Sequence, residues 1–349
     1  MNLAIIGYGG MGSWHHRSIA EKVKEITVVG AWDVREEALQ KAVDAGIKAY
    51  SSLDELFGDE TIDIVTIAVP NNFHKDLSIQ ALRAGKAVVS EKPVTLNAAE
   101  LEEIIAVSKE TGKLFSVHQN RRWDKDYRIV REVIESGKIG MPYFIESKVQ
   151  GSRGAMHGWP GHKMNGGGML LDWGVHLIDQ VMDMIKAPVI SVEAHLYSIK
   201  TPEVDDNIQV SLRFEGGTTA TIGMATNCFI LEPRWHVSCT DGTMQIDNWS
   251  GEGKIIQLDN DAPLEWADDI VYTEAGPTRT MAPRPPETTR EIPLPEVNTD
   301  WADYYKNIVA VLENGEPLIV RPEQALRVMK VIDLLFESQD RNMGLSCNI

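Results

Sequence analysis

The fold is decided by Asn2-Leu-Ala-Ile-Ile-Gly-Tyr-Gly-Gly-Met-Gly12, at the start of a chain of 349 residues. Its apolar first half predicts a strand, and the glycines that follow have the spacing Gly-x-Gly-x-x-Gly. A helical pattern comes next, and then a second strand, Glu25–Trp32, ends at Asp33, 21 residues beyond Gly12. A strand, a glycine turn, a helix, a strand and an acid in this order predict a dinucleotide site.

The glycines and the acid have separate roles in such a site. Gly7 allows the tight turn, Gly9 lets a pyrophosphate approach the backbone, and Gly12 lets the helix pack close to the strand. Asp33 would accept hydrogen bonds from the adenosine ribose hydroxyls, and its charge would repel a 2′-phosphate. Although Arg35 follows two residues later, the acid predicts NAD rather than NADP as the cofactor.

Apolar strands and amphipathic helices continue to alternate up to residue 120. The predicted strands are Ile62–Val69, Ala87–Ser90 and Leu114–His118, and the predicted helices are Arg35–Ala45, Asp76–Ala84 and Ala98–Thr111. This alternation predicts a doubly wound parallel sheet, that is, an α/β Rossmann domain. Loops at the carboxyl ends of such strands reach the ligand-binding edge. The predicted cofactor-binding residues are Gly7, Tyr8, Gly9, Gly10, Met11, Gly12, Asp33, Val69, Pro70, Asn71, His74, Glu91 and Lys92.

Composition and length restrict the class of protein. The chain has 51 acidic and 34 basic residues and a net charge of -17, which argues against nucleic acid or an acidic membrane as a partner. No apolar run is long enough to span a bilayer, so we expect a cytoplasmic protein. The three cysteines match no metal spacing. The length predicts two domains, a cofactor domain over 1–120 and a substrate-binding and oligomerisation domain over 121–349.

The second part of the chain shows period-two alternation after a helix at Asp126–Ser136. The predicted strands are Tyr143–Val149, Ile190–Tyr197, Ile208–Phe214, Thr218–Met224, Trp235–Cys239, Thr243–Ile246 and Lys254–Leu258. They predict an α+β domain with a large, mostly antiparallel open sheet, one face of which would need cover. The proline-rich stretch Ala275–Val297 is expected to be a loop, and helices are expected at Asp300–Glu313 and Pro322–Arg341.

A candidate catalytic segment, Gly166–Asp179, begins with three glycines. On a helix, Asp172 and His176 would share one face, as a proton acceptor and its orienting carboxylate. The alternative is a buried histidine capped by a neighbouring acid. The preceding loop carries side chains suited to a sugar ring, with Trp159 and Lys163 preferred, and the alternative is a flexible glycine-rich surface loop. These side chains are Arg153, His157, Trp159, His162 and Lys163.

These motifs, in this order and spacing, resemble the Gfo/Idh/MocA family of oxidoreductases, which includes glucose–fructose oxidoreductase and inositol dehydrogenase. The resemblance covers essentially the whole chain and implies that Lys92, Asp172 and His176 form the catalytic group. It also implies that Asn120, Arg122 and Asp179 face the substrate. A cis Lys92–Pro93 bond and a homodimer or homotetramer, with contacts through the open sheet, are further implications.

The predicted reaction is hydride transfer between NAD and a ring secondary hydroxyl or ketone of a sugar, glycoside or inositol. His176 would accept the hydroxyl proton and Lys92 would donate to the substrate oxygen, while Asp172 orients the substrate or the histidine. Two other functions are compatible with the motifs. One is a glycosidase that uses NAD for transient oxidation, and the other is a non-catalytic sugar-sensing regulator. A metal site at Asp172 and His176 is not expected, since no further ligand cluster accompanies them.

Overall fold

The structure is a computed structural model that describes residues 1–259, 269–280 and 285–349. Its first sheet has six parallel strands in the order β3-β2-β1-β4-β5-β6. The strands are β1 (Asn2–Ile6), β2 (Thr27–Trp32), β3 (Lys48–Ala49), β4 (Ile64–Ile67), β5 (Ala87–Ser90) and β6 (Phe115–Val117). The helices between them are α1 (Gly10–Lys22), α2 (Glu36–Asp44), α3 (Leu53–Gly58), α4 (His74–Arg83) and α5 (Ala98–Thr111).

The central strands of this sheet are buried on both faces. Every residue of β4 and of β5 is buried, which matches their nearly continuous apolar sequences. The strand order is the doubly wound one, and it places the ends of β1, β4 and β5 at the same edge. The prediction of a Rossmann domain is confirmed.

The second sheet has nine strands in the order β16-β13-β12-β11-β7-β10-β9-β8-β17. The strands are β7 (Pro142–Gln150), β8 (Val189–Tyr197), β9 (Asn207–Phe214), β10 (Thr219–Ala225), β11 (Trp235–Cys239), β12 (Gly242–Ile246), β13 (Gly253–Leu258), β16 (Thr289–Ile292) and β17 (Leu345–Ser346). Only the pair of β7 and β10 is parallel among the described strand pairs of this sheet. The prediction of a large, mostly antiparallel sheet is confirmed.

The two faces of this sheet differ in polarity. One face is apolar, as Val210 and Leu212 of β9 and Ile222 of β10 illustrate, and it packs towards α6 (Lys125–Ser136), α7 (Val175–Met184) and α9 (Pro322–Arg341). The outward positions of the same strands are polar, among them Gln209, Ser211, Thr219 and Thr221. A polar face has no need of apolar cover, so this physical argument for subunit contacts is not supported, and the oligomer stays a prediction.

The prediction of a loop over Ala275–Val297 is wrong in part. Strands β14 (Asp269–Thr273) and β15 (Gly276–Thr280) form a separate hairpin, and β16 extends the nine-stranded sheet by pairing with β13. The register places Ile292 opposite Ile255, whose side chain is buried. Residues 281–284, including Pro283, lie outside the described residues.

The last two helices return to the first sheet. In α8 (Ala302–Asn314), the Tyr304 hydroxyl donates to Ser116 Oγ of β6 at 2.9 Å, and the Tyr305 hydroxyl lies 3.0 Å from Thr66 Oγ1 of β4. The division at residue 120 stays a prediction, but α8 packs with the first domain. No helix within the described residues combines the length and apolar character needed to cross a bilayer.

Candidate active site

The glycine turn forms a cradle between β1 and α1. Gly7 has a φ of 91°, and a side chain there would collide with the backbone of Ala68. A side chain at Gly12 would collide with the carbonyl oxygen of Gly7. Around Gly10, where α1 begins, the position that a side chain would take is clear of described atoms other than those of its chain neighbours and its own helix. The open space in front of this helix N-terminus fits a pyrophosphate.

The acid at the end of β2 is held by the same turn. Asp33 accepts a hydrogen bond of 2.8 Å from the backbone N–H of Tyr8 and pairs with the Arg35 guanidinium. Burial raises the pKa of Asp33, but the hydrogen bonds from Arg35 and Tyr8 outweigh burial, so this pKa lies below its ordinary value. Asp33 is therefore ionised, as a ribose-binding carboxylate must be. Tyr8 is buried and Met11 is 44% exposed at the same turn.

The loops after β4 and β5 are joined by His74. Its Nδ1 lies 2.8 Å from the Pro93 carbonyl oxygen, and its Nε2 lies 2.8 Å from the Val69 carbonyl oxygen. Asn71, next to Pro70, donates through Nδ2 to the Gly166 carbonyl oxygen at 2.8 Å. The Lys92–Pro93 bond is cis, in agreement with the prediction. Both ring nitrogens of His74 are thus used within the protein, so its placement favours a positioning role.

Glu91 is the centre of a buried network. Its Oε1 accepts from His15 Nε2 at 2.8 Å and from His118 Nδ1 at 2.9 Å, and the Tyr305 hydroxyl contacts His15 Nδ1 at 3.0 Å. Burial alone would raise the pKa of Glu91. The contacts with His118 and His15 outweigh burial, so this pKa lies well below its ordinary value. These three ligand-type side chains could hold a metal by their proximity. In this structure Glu91 bonds to both histidines, while His118 Nε2 is buried without a hydrogen-bond partner among the described residues.

Lys92 and Asp172 form an ion pair across two segments. Lys92 Nζ donates to Asp172 Oδ1 at 2.9 Å and to the Asp172 carbonyl oxygen at 3.0 Å. Both side chains are partly exposed, at 20% and 33%. Leu170–Gly174 is a π-helical turn that runs into α7, so the segment is not the regular α-helix on which the shared face was predicted. Asp172 therefore pairs with Lys92 and makes no described hydrogen bond to His176, which gives no support to it as the orienting partner of the histidine, while its orientation of the substrate stays a prediction.

The orienting partner of His176 is Gln119. His176 Nδ1 lies 2.8 Å from Gln119 Oε1, and because an amide oxygen only accepts, Nδ1 carries the proton and Nε2 keeps its lone pair. Burial, followed by the positive charges of Lys92 and Arg121, lowers the pKa of His176 well below its ordinary value. The imidazole is therefore neutral at neutral pH and presents a proton acceptor.

Arg122 and Asp179 bind each other in the structure. They form a buried, two-armed ion pair, with Arg122 Nε to Asp179 Oδ2 at 2.7 Å and Nη2 to Oδ1 at 2.6 Å. Arg122 also lies 3.4 Å from Asp183, and its Nη1 donates to Gln324 on α9 at 3.2 Å. The prediction that these two residues contact the substrate is not supported by this placement. Their pairing joins α7 to the segment before α6 and to α9.

The loop expected to bind a sugar is exposed. Two short 3₁₀ turns, Trp159–Gly161 and Lys163–Asn165, interrupt it, and Trp159 is 40% exposed. Within the described part of the chain, none of its five candidate side chains hydrogen-bonds to Lys92, Asp172 or His176; His162 instead contacts Glu203 at 3.2 Å. Their roles in binding remain predictions. The five are Arg153, His157, Trp159, His162 and Lys163, and all are exposed.

Sequence reasoning missed Gln119 and Arg121, which flank Asn120 at the end of β6. Asn120 is buried at the start of the short turn Asn120–Trp123. The Arg121 guanidinium lies 4.1 Å from the centre of the Trp173 ring, next to Asp172. Arg121 also approaches Trp249 and Trp301 at 5.2 and 5.7 Å. The polar run from His118 to Arg122 immediately after a parallel strand was the available signal, since such ends face the ligand edge.

Comparison with known proteins agrees with this geometry. A family model described as an oxidoreductase family with an NAD-binding Rossmann fold matches residues 1–119, and the model of the GFO/IDH/MocA C-terminal domain matches residues 127–245. The chain belongs to the Gfo/Idh/MocA family of oxidoreductases. It is accordingly an NAD-dependent dehydrogenase, and the cofactor predicted from Asp33 agrees with the family.

Proteins similar to this chain carry names with different cofactors and substrates. The crystal structure of an NAD-binding protein from Listeria innocua is 40% identical, with a TM-score of 0.92 and 99% of both chains covered. The scyllo-inositol 2-dehydrogenase (NADP(+)) of Bacillus subtilis is 24% identical over 97% of this chain and 93% of its own. The inositol 2-dehydrogenase of Salmonella typhimurium is 32% identical over 42% of this chain and 45% of its own.

Proposed function

We propose that this enzyme oxidises a ring secondary hydroxyl of a sugar, a glycoside or an inositol, or reduces the corresponding ketone. The observation that carries the proposal is a neutral, amide-oriented His176 whose pKa is lowered by burial and by the charge of Lys92, which is itself paired with Asp172. Lys92 follows Glu91, which is bonded to His15 on α1, so the group is anchored to the helix that begins at the cofactor cradle. A proton acceptor and a cation side by side suit the oxidation of an alcohol.

The three side chains divide the work of the reaction. His176 Nε2 accepts the proton of the substrate hydroxyl, because Nδ1 is engaged with Gln119. Lys92 donates a hydrogen bond to the substrate oxygen and stabilises the negative charge that develops there. Asp172 holds the Lys92 ammonium in place. NAD, when bound, supplies the hydride-accepting ring.

The test is NADH formation from NAD with inositols, sugars and glycosides as separate substrates. We expect NADH absorbance to rise with one class and His176→Ala to lower turnover by about 10²–10⁴-fold, the usual contribution of a general base. Release of free sugar from a glycoside without NADH would favour transient oxidation. Sugar binding without either product would favour a regulator. Near wild-type turnover in His176→Ala would remove this residue from the mechanism.

We also propose that the enzyme is a homodimer or homotetramer in the cytoplasm. Support for self-association comes from the loop between β10 and β11, where Phe229, Ile230 and Leu231 are 77%, 84% and 65% exposed. Three consecutive exposed apolar side chains are unusual on a monomer and indicate a contact surface. The polar outer face of the sheet supports no particular assembly.

A further inference from the structure

The carboxylate that selects the cofactor is already saturated by donors of the chain itself. Asp33 accepts four hydrogen bonds, and a carboxylate has about four lone-pair positions. The donors are the Tyr8 backbone N–H at 2.8 Å, the Arg35 backbone N–H at 2.9 Å, and Arg35 Nε and Nη2, each at 3.1 Å. Two of the four positions are therefore held by one flexible side chain.

Arg35 lies on the solvent side of this pair. Its side chain is 61% exposed, whereas that of Asp33 is 6% exposed. Arg35 Nη2 is also 3.3 Å from the position that a side-chain carbon on Gly9 would take. The Arg35 guanidinium therefore lies against the glycine turn at Gly9, on the solvent side of the Asp33 carboxylate.

The position of Arg35 changes what the carboxylate does to an incoming nucleotide. A bare carboxylate accepts from ribose hydroxyls and repels a 2′-phosphate, whereas a nearby arginine accommodates that phosphate. Here the arginine neutralises the acid and, once it moves off Asp33, presents the planar fork that pairs with phosphate oxygens. Asp33 keeps the backbone N–H donors of Tyr8 and Arg35 when the exposed guanidinium turns to another anion, so its carboxylate remains hydrogen-bonded.

We propose that Asp33 and Arg35 form a two-way nucleotide selector, so that the enzyme binds NADP as well as NAD. With NAD, the ribose hydroxyls donate to Asp33 and take the place of the guanidinium. With NADP, Arg35 binds the 2′-phosphate and offsets the charge of Asp33. Arg35 is thus the specificity-determining residue, although the acid alone predicts NAD.

The experiment measures binding of NADH and NADPH to the whole enzyme by nucleotide fluorescence, without substrate. Wild type is expected to bind both. Arg35→Ala should weaken NADPH by about 10–100-fold, the loss expected for hydrogen bonds to a charged group, while NADH affinity is unchanged or improved. Arg35→Lys keeps the positive charge but loses the planar fork of the guanidinium. Its NADPH affinity should therefore lie between those of wild type and Arg35→Ala. Asp33→Asn should act in the opposite sense, weakening NADH and strengthening NADPH.

The deciding quantity is the ratio of the NADPH and NADH dissociation constants. A shift of about tenfold or more in Arg35→Ala supports the selector, and a smaller shift overturns it. Failure of wild type to bind NADPH overturns it as well. Retained NADH binding shows that the variant is folded. Since no substrate is present, the outcome is independent of whether the enzyme oxidises a ring hydroxyl.

Discussion

The orientation of His176, the proposed proton acceptor, depends on the side-chain amide of Gln119. Asp172 is engaged with Lys92, whereas Gln119 bonds to His176, the proposed proton acceptor. An acceptor at Nδ1 fixes the tautomer, and the tautomer decides whether Nε2 can accept a proton. If His176 accepts the substrate proton as proposed, Gln119 acts as its positioning residue.

Replacing Gln119 should change the pH profile as well as the rate. Wild-type activity should persist below pH 6.5, the ordinary histidine value, because the lowered pKa keeps His176 neutral there. Gln119→Glu keeps an acceptor and adds a negative charge, so the acidic limb of the kcat profile should move to higher pH. Gln119→Ala should lower kcat by up to about 100-fold through loss of orientation. The measurement is kcat and KM across pH.

The comparison of the two variants isolates orientation from charge. A merely structural role would lower kcat in both variants without moving the acidic limb. An unchanged profile in Gln119→Glu, with full activity in Gln119→Ala, would contradict the assignment of Gln119. Urea unfolding of each variant checks that the fold is intact.

For individual residues, the sequence motifs indicated the charged side chains better than the hydrogen-bond partners of those side chains. Lys92, Asp172 and the cis bond were expected from the resemblance to the family, which rests on short local motifs. Gln119 has none, since its role depends on the distance to a histidine 57 residues away in the chain. The pairing of Arg122 with Asp179 was hidden for the same reason.

At the level of secondary structure, the turn that carries Asp172 is held by Asp205, a residue outside the turn. Asp205 accepts a hydrogen bond of 2.7 Å from the Leu170 N–H, and its carbonyl oxygen accepts from the Met169 N–H at 2.8 Å. Gly168, with a φ of 109°, lies so close that a side chain there would collide with the Asp205 carboxylate. A glycine is therefore required for Asp205 to hold the π-helical turn.

Gly168→Ala should disturb this turn. We expect a loss of about 1–3 kcal/mol in the free energy of unfolding from the positive φ, with a lower kcat because Asp172 moves. Gly216→Ala is the matched control, since Gly216 has a φ of 88° and no described atom within 4 Å of the added carbon. Urea unfolding and kcat give the two readouts. Equal kcat in both variants would show that Asp205 does not position Asp172.

The strands that alternate over seven or more residues were predicted closely, because period two is a local signal. Strand β16 was missed. Its four residues, Thr289-Arg-Glu-Ile292, follow a proline-rich stretch and gain their structure from pairing with β13, more than 30 residues earlier. The π-helical turn was missed because three glycines before a helical pattern do not report the Asp205 contact.

For the molecule as a whole, the exposed loop between β10 and β11 predicts self-association. Replacing Phe229, Ile230 and Leu231 with serine should lower the assembly mass measured by sedimentation, because the apolar contact is lost. Met164→Ser is the control, since Met164 is 80% exposed outside this loop. An unchanged mass would exclude the loop from the interface. A monomeric wild type would reject the oligomer.

The return of α8 to the first sheet has a consequence for recombination between relatives. Tyr304 and Tyr305 complete the side of the sheet that contains Ser116 and Thr66. A hybrid joined only near residue 120 would pair one parent's sheet with another parent's tyrosines. Two crossovers, one near residue 120 and one before α8, would keep these partners together. The first domain is thus encoded by two separate segments of the gene, and both must be exchanged together to keep these contacts.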